Sequence, residues 1–237
     1  MKLFTGKGIR KHGLALLSGP KQVAEVLQEF PEKCAAVILE DRMSVPPRSA
    51  GHGIDASQLI PELFRELDLY GTDSPILLVN ATPFEQWNAR RWPPGCTLFV
   101  PFQDPANAGA VIRSGAAFGV SQVVLLQEAA HPFLPKSMRA AGSCLFRVPM
   151  ATGPSIKALS QKGPPLITLS PRGRDIATYR FPETFGLIPG LEGPGLPPGL
   201  SALESLSIPM QGNVESLNAA LATGIALYVW RSGLIAP

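Results

Sequence analysis

The chain has little cysteine, little charge and no apolar run long enough for a bilayer, and each shortage removes a class of protein. Cys34, Cys96 and Cys144 are its three cysteines and stand far apart, which suits neither a disulfide framework nor a paired-cysteine zinc site. They read as reduced core thiols. The longest apolar helix candidate, Leu217 to Trp230, contains Asn218 and Thr223 and falls short of the ~20 residues that span a membrane. After Met1 the chain passes Lys2, Lys7, Arg10 and Lys11 before a first apolar stretch too short and interrupted for a signal core. The expectation is a soluble, cytoplasmic chain with no metal and no membrane partner. Charged residues are 16% against 45% hydrophobic, a balance that supports a packed core rather than a disordered chain. Lys and Arg are missing altogether from Phe181 through Trp230, where Glu183, Glu192, Glu204 and Glu215 all fall. A pocket built from that stretch suits a cationic ligand better than a polyphosphate.

What is present is an alternation of short apolar runs and amphipathic segments. The 23 glycines and 25 prolines follow no period, so they mark turns rather than a repeat. At 237 residues the chain has room for a small domain beside a medium one. Strands are expected at Leu14–Leu17, Ala35–Leu39 and Ile76–Val79, with helices after Gly19-Pro20 and over Leu59–Leu69, giving a first α/β unit. Thr82 to Gly95 carries Pro83, Arg90, Arg91, Pro93 and Pro94 and reads as a connection, dividing the chain into domains 1–90 and 95–237. Beyond it, Thr97–Phe102, Ala106–Phe118 closed by Gly119, and Gln122–Leu126 read as strand, helix, strand, the pattern of a parallel sheet. The alternation continues with a helix at Ser137–Ala141, a strand at Cys144–Val148, a helix at Ser155–Gln161 and a strand at Leu166–Leu169. Short strands near Phe185–Ile188 and Leu206–Pro209 and a last helix over Ser216–Arg231 complete it. Helices are expected on both sheet faces.

Ligands of open parallel sheets bind outside the carboxyl ends of the strands, so three loops carry the functional reading. The first, Gln103 to Gly109, holds an Asp-Pro helix start. Its helix places Ala108, Val111, Ile112 and Ala116 on one stripe and Arg113 off it. Taken alone, an off-stripe arginine is a solvated surface residue. The second, Gly190-Leu191-Glu192-Gly193-Pro194-Gly195, allows close backbone approach to a ligand but lacks the endings of a Walker loop or a dinucleotide fingerprint; its bland reading is a surface turn. The third is Ile208-Pro209-Met210 with Ser216-Leu217-Asn218, where Ser216 reads as the N-cap of the last helix. At the other end, Lys7, Arg10 and Lys11 precede the first acidic residue, Glu25. That basic head either attracts phosphates or is merely a solvated terminus.

Together the runs Asp104-Pro105-Ala106-Asn107-Ala108-Gly109-Ala110-Val111-Ile112-Arg113, Gly190 to Leu196, Ile208 to Met210 and Ser216 to Asn218 resemble the SpoU (TrmH-like) branch of the SPOUT RNA methyltransferases, and Arg139 to Ser143 with Val148-Pro149 fits too. The resemblance covers roughly Thr97 onward. It implies an α/β fold whose C-terminal parallel-sheet domain holds a trefoil knot. The N-terminal unit is similar to the ribosomal-protein-like RNA-binding domain of many members. The resemblance further implies a homodimer and transfer of a methyl group from S-adenosylmethionine to a ribose 2′-hydroxyl of RNA, ribosomal RNA being preferred to transfer RNA. By motif position the cofactor contacts are Thr168, Leu169, Ser170, Ile188, Gly190, Ile208, Met210, Ser216, Leu217 and Asn218. Arg113 takes the catalytic arginine's place, with Asn107, Glu192, Ser216 and Asn218 around it, and Lys7, Arg10, Lys11 and Arg113 meet RNA. A guanidinium holds its proton at ordinary pH, so Arg113 is read as binding phosphate and the developing alkoxide. Ser114-Gly115 departs from the usual Thr-Ala, Leu191 from a small or polar residue, and Ala219 from Val. Gly115 is expected to loosen its helix by about 1 kcal/mol. The rival readings are a catalytically inactive RNA-binding protein on the same scaffold, a nucleotide-dependent oxidoreductase, and methylation of a base instead of a ribose.

Overall fold

The computed structural model describes residues 2–160, 163–190, 197–200, 202–212 and 214–235. In chain order its elements are α1 (Gly6–His12), β1 (Leu14–Leu17), α2 (Pro20–Glu29), β2 (Cys34–Glu40), α3 (Pro47–Gly51), β3 (Asp55–Leu59), α4 (Pro61–Leu67) and β4 (Ile76–Asn80). Then follow β5 (Gly95–Val100), α5 (Pro105–Phe118), β6 (Gln122–Leu125), α6 (Pro135–Ala141), β7 (Met150–Thr152), β8 (Leu166–Asp175), β9 (Thr184–Ile188), β10 (Glu204–Ser207) and α7 (Ala219–Ile235). They gather into two compact units, Met1–Pro83 with His131–Phe146, and Phe84–Ala130 with Arg147–Pro237. The segment His131–Phe146, assigned from sequence to the second half, groups with the first.

The first unit holds a four-stranded sheet ordered β1-β4-β2-β3, antiparallel at β1–β4 and β4–β2 and parallel at β2–β3. Helix α2 forms because Val23, Val26 and Leu27 repeat at helical spacing and bury one face. Leu16, Phe64 and Ile76 form a core to which Leu3 and Phe4 add. Strand β3, Asp-Ala-Ser-Gln-Leu, was not foreseen: it lies at a sheet edge, largely exposed, and so has no apolar alternation to betray it. Helix α1 is capped by Thr5, whose side chain accepts from the Gly8 amide, and closed by Gly13 in the left-handed region.

The second unit is built on a six-stranded sheet, β10-β8-β9-β5-β6-β7, in which every pairing is parallel. Cys96 through Val100 are all buried, as expected of a strand covered on both faces. Helices α5 and α7 cover one face. A Cβ on Gly115 would stand 3.0 Å from Val120 and 3.5 Å from Leu98, and Trp230 meets Phe185 with ring centroids 5.7 Å apart. The departure at Gly115 therefore accommodates close helix-to-sheet packing.

The opposite face differs from expectation. Phe99, Val124, Leu166 and Ile188 are covered not by long helices but by Trp87, Trp92 and two one-turn 3-10 helices, Ile156–Ala158 and Pro198–Leu200. Trp87 and Trp92 stand 5.0 and 5.9 Å from the Phe99 ring. Gly186 leaves the space they need, since a Cβ there would come within 2.7 Å of Phe99 and 3.2 Å of Trp92. The stretch Thr82 to Gly95 is thus a packed strap rather than a bare connection: the Trp87 amide donates to Thr152 at 2.8 Å, and the Thr152 amide to Glu85 at 2.9 Å. Its prolines and arginines suggest a linker, while two half-buried tryptophan rings packed on the core outweigh them.

Other elements shift. Cys144 lies in a 3-10 turn, Gly142–Phe146, after Gly142 bends the chain at φ 60, and the strand starts only at Met150. The helix expected from Ser155 is a single turn held by Glu128, which accepts from Ser155 Oγ at 2.5 Å and the Ile156 amide at 3.1 Å. The last helix begins at Ala219.

Candidate functional site

All the strands of the second sheet run the same way, so their carboxyl ends share one edge. Helix α5 starts there, with four residues between it and the end of β5. Asp104 fixes that start: its carboxylate accepts from the amides of Ala106 at 2.6 Å and Asn107 at 3.2 Å, and Pro105 occupies the first helical position. Asn107 is half-buried in the first turn.

Helix α7 begins at the same place because Asn218 bridges the two starts. Its Nδ2 donates to Asn107 Oδ1 at 3.2 Å, while its own Oδ1 accepts from Ala220 and Leu221 amides at 3.0 and 3.1 Å. The Asn218 carbonyl takes the first helical bond, from Ala222 at 2.9 Å. Asn218 is therefore the N-cap, which corrects the assignment of that role to Ser216; Ser216 is exposed, two residues upstream. Either side chain can cap, and the bond to Asn107 is what sequence spacing could not supply. Between the helices runs an open groove of ≈ 490 Å³ lined by Asn107, Ala110, Ser114, Phe118, Leu221 and Tyr228 among others.

The other half of the edge is made by β8, β9 and β10. Thr168 is buried, opposite Ile188 on one side and Ser205 on the other, and its Oγ1 donates to the Glu204 carbonyl at 3.3 Å. The partners of Ser205 and Leu206 then jump from Thr168 to Arg174, so residues 169–173 loop out of the ladder. Gly173 allows the strand to rejoin: a Cβ there would lie 2.5 Å from the Ser205 and Leu206 backbone. Ser170 Oγ accepts from the Arg172 amide at 3.3 Å inside this loop. Gly190, two residues past β9, faces the Leu169 carbonyl, 3.3 Å from where a Cβ would stand.

This edge offers hydroxyls, backbone groups and apolar side chains. The Ser205 hydroxyl is buried with no hydrogen-bond partner among the described residues, and Gly190 keeps the backbone open beside Leu169. With no Lys or Arg from Phe181 to Trp230, the donor set fits a neutral adenosyl group carrying a positive sulfur. S-adenosylmethionine fits that description.

The structure brings Asn107 to Asn218, and Thr168 and Leu169 to Ile188 and Gly190. Ile208, Met210 and Leu217 are half-buried on the chain leading from β10 to α7. Glu192 lies outside the described residues. Arg113 is exposed on α5, about 9 Å along the helix axis from Asn107, and is not among the groove-lining residues. Lys7, Arg10 and Lys11 are exposed on α1, in the first unit. Among the described residues no group of acidic, His and Cys side chains is arranged to hold a metal, and no helix is long and apolar enough to cross a membrane. Sequence reasoning missed Ser205 and Gly173. A glycine inside an otherwise strand-like run was the available signal for the second.

Residues 97–228 match the SpoU rRNA Methylase family. The chain is 49% identical over 234 residues to ribosomal RNA small subunit methyltransferase G 2 of Syntrophobacter fumaroxidans. That match takes in 98% of this chain but 47% of the relative, so the chain spans about half that protein's length. It is 30% identical over 233 residues to 23S rRNA (guanosine(2553)-2'-O)-methyltransferase RlmP of Bacillus subtilis, covering 96% of this chain and 92% of that one. The SpoU methyltransferase AviRb from Streptomyces viridochromogenes, solved in complex with the cofactor AdoMet, shares the fold at TM-score 0.80 and 22% identity, over 99% of this chain and 96% of that one.

Proposed function

Because the chain belongs to the SpoU rRNA methylase family, we propose that it transfers a methyl group from S-adenosylmethionine to a ribose 2′-hydroxyl of ribosomal RNA. The observation that carries this reading is the convergence, at one sheet edge, of the α5 and α7 starts joined by Asn107 and Asn218 with the ends of β8, β9 and β10. Large-subunit RNA is the first acceptor to test, since the relative matched along nearly its whole length is named for 23S RNA. The name of the half-matched relative describes a protein more than half of which has no counterpart here.

When bound, S-adenosylmethionine supplies an electrophilic methyl group for in-line attack by the ribose oxygen. The segments Thr168 to Ser170, Ile188 to Gly190, Ile208 to Met210 and Ser216 to Asn218 hold it through backbone and hydroxyl groups. Asn107, Glu192, Ser216 and Asn218 shape the reacting end, and the Asn107–Asn218 bond keeps the two helix starts in register for it. Arg113, exposed and cationic, binds a phosphate beside the reacting ribose and stabilises the oxygen as its proton passes to water. Alignment supplies most of the rate and the guanidinium the charge compensation. The first unit captures the RNA with Lys7, Arg10 and Lys11, and the second unit carries the chemistry.

Two further features belong to this reading. The active form is a homodimer joined through the α5–α7 face, supported by the groove and by Leu221 and Tyr228, exposed at 55% and 60%. A trefoil knot lies after β8, supported by β10 returning past β9 to pair with β8 and by its close passage at Gly173. The test is transfer of radiolabelled methyl groups from S-adenosylmethionine to 23S, 16S and transfer RNA transcribed without modifications, followed by alkaline hydrolysis. Label in alkali-resistant dinucleotides of 23S RNA is expected, because a 2′-O-methyl group blocks cleavage. Label released as base-methylated mononucleotides would overturn the ribose assignment.

A further inference from the structure

We propose that helix α6 and Tyr70 form an RNA-contacting platform in the first unit, with the Arg139 guanidinium stacked on the Tyr70 ring to receive an unpaired base and Lys136 beside it to meet phosphate. The inference rests on the RNA methyltransferase reading but concerns residues to which that reading gives no role. The Arg139 guanidinium carbon lies 4.3 Å from the Tyr70 ring centroid. Lys136 stands one helical turn earlier, and both cations are exposed. Burial raises the Tyr70 hydroxyl's pKa while Arg139 and Lys136 both pull it down, so the two charges converge on that ring.

This platform continues the basic surface of α1. A Cβ on Gly6 would stand 3.3 Å from His131 Cβ and 3.5 Å from the Arg10 guanidinium, which sets α1 against the turn at His131. The same turn launches α6: its His131 carbonyl accepts from the Leu134 amide at 3.0 Å and from Ser137 Oγ at 3.3 Å. Neither α1 (Gly-Lys-Gly-Ile-Arg-Lys-His) nor α6 (Pro-Lys-Ser-Met-Arg-Ala-Ala) contains an acidic residue. Lys7, Arg10, Lys11, Lys136 and Arg139 thus present five cations without an intervening carboxylate on either helix. Single-stranded RNA is the partner such a surface fits: cations track its phosphates, and an arginine plane backed by an aromatic ring offers a stacking face of fixed orientation that any exposed base can use. An arginine–tyrosine stack at an exposed site adds little to folding, so a purely structural role predicts a small drop in melting temperature and no change in binding.

The experiment measures binding of in-vitro-transcribed 23S RNA to the full chain between 50 and 200 mM salt, with thermal melting of each variant. Arg139→Gln is expected to weaken binding about tenfold and to flatten the salt dependence by about one unit of slope. Arg139→Lys is expected to keep the slope but lose affinity, because the stacking plane is gone. Tyr70→Phe is expected to bind as wild type and Tyr70→Ala to resemble Arg139→Gln. If wild type binds this RNA and a folded Lys136→Gln/Arg139→Gln double variant binds with the same affinity and slope, the platform is refuted while the methyltransferase reading stands. If wild type binds no RNA, both fall.

Discussion

Replacing Asn218 by alanine tests whether the two helix starts are held by one side chain. The substitution removes an N-cap that accepts from Ala220 and Leu221, a loss of about 1 kcal/mol, and a partly exposed bond to Asn107, about 0.5 kcal/mol more. The sum, about 1.5 kcal/mol, corresponds to a melting temperature lower by roughly 3–6 °C for a chain of this size. Asn107→Ala removes the shared bond along with whatever else that side chain holds, and should cost at least about 0.5 kcal/mol. In the double variant that bond is lost once, so the two costs fall short of additivity by about the same amount. Urea unfolding followed by tryptophan fluorescence is suited to this, since Trp87, Trp92 and Trp230 all lie in the unit that contains both asparagines. Asn218→Asp keeps the cap and loses only the donor, and should fall between wild type and Asn218→Ala. An Asn218→Ala protein within 0.3 kcal/mol of wild type, or strict additivity with Asn107→Ala, would refute the reasoning.

Other consequences are as specific. For Glu128, burial raises the carboxyl's pKa but bonds from Ser155 and Ile156 outweigh it, so the net shift is downward; Glu128→Gln should cost about 1 kcal/mol at neutral pH. That difference should persist above pH 4.5 and vanish as the pH falls through the lowered folded pKa, which urea titrations at successive pH values will show. His131 is lowered from 6.5 to about 4, first by burial and then by Arg10, and its Nδ1 accepts from the Phe133 amide at 3.3 Å. Below pH 6.5 the unfolded chain therefore gains a proton before the folded one, and stability should drop by roughly 1–2 kcal/mol between pH 6.5 and 4 once solvent screening of the half-buried ring is allowed for. His131→Asn should remove that component. Gly186→Ala would press a methyl group into Leu166, Phe99 and Trp92, and should destabilise by about 1–3 kcal/mol with altered tryptophan fluorescence.

The parallel sheet was legible because buried strands such as Thr97 to Val100 are continuous apolar runs, and α5 because Asp104-Pro105 and Gly119 mark its ends. Three segments were not, for different reasons. Strand β3 is polar and exposed, so nothing in its own residues distinguishes it from a loop. The strap over Trp87 and Trp92 has the prolines of a linker, and only the space opened at Gly186 shows where its rings go. The looped-out stretch of β8 depends on Gly173 meeting β10, a contact between residues more than thirty positions apart. At the candidate site, motif position located Asn107 and Asn218, but not the bond between them nor the role of Asn218 as the cap. Ser205 escaped because a serine in a short strand carries no signal until its hydroxyl is seen to be buried and unpaired.

The central claim is that the edge where α5 and α7 begin methylates ribose with Arg113 beside the reacting oxygen. Its most direct test is nucleoside analysis by mass spectrometry of unmodified 23S RNA incubated with S-adenosylmethionine and either wild type or Arg113→Ala. A 2′-O-methylnucleoside is expected with wild type, reduced by roughly a hundredfold or more in Arg113→Ala, in line with loss of one charge-stabilising donor. Equal yields from the two proteins, or a methylated base in place of a methylated ribose, would contradict it.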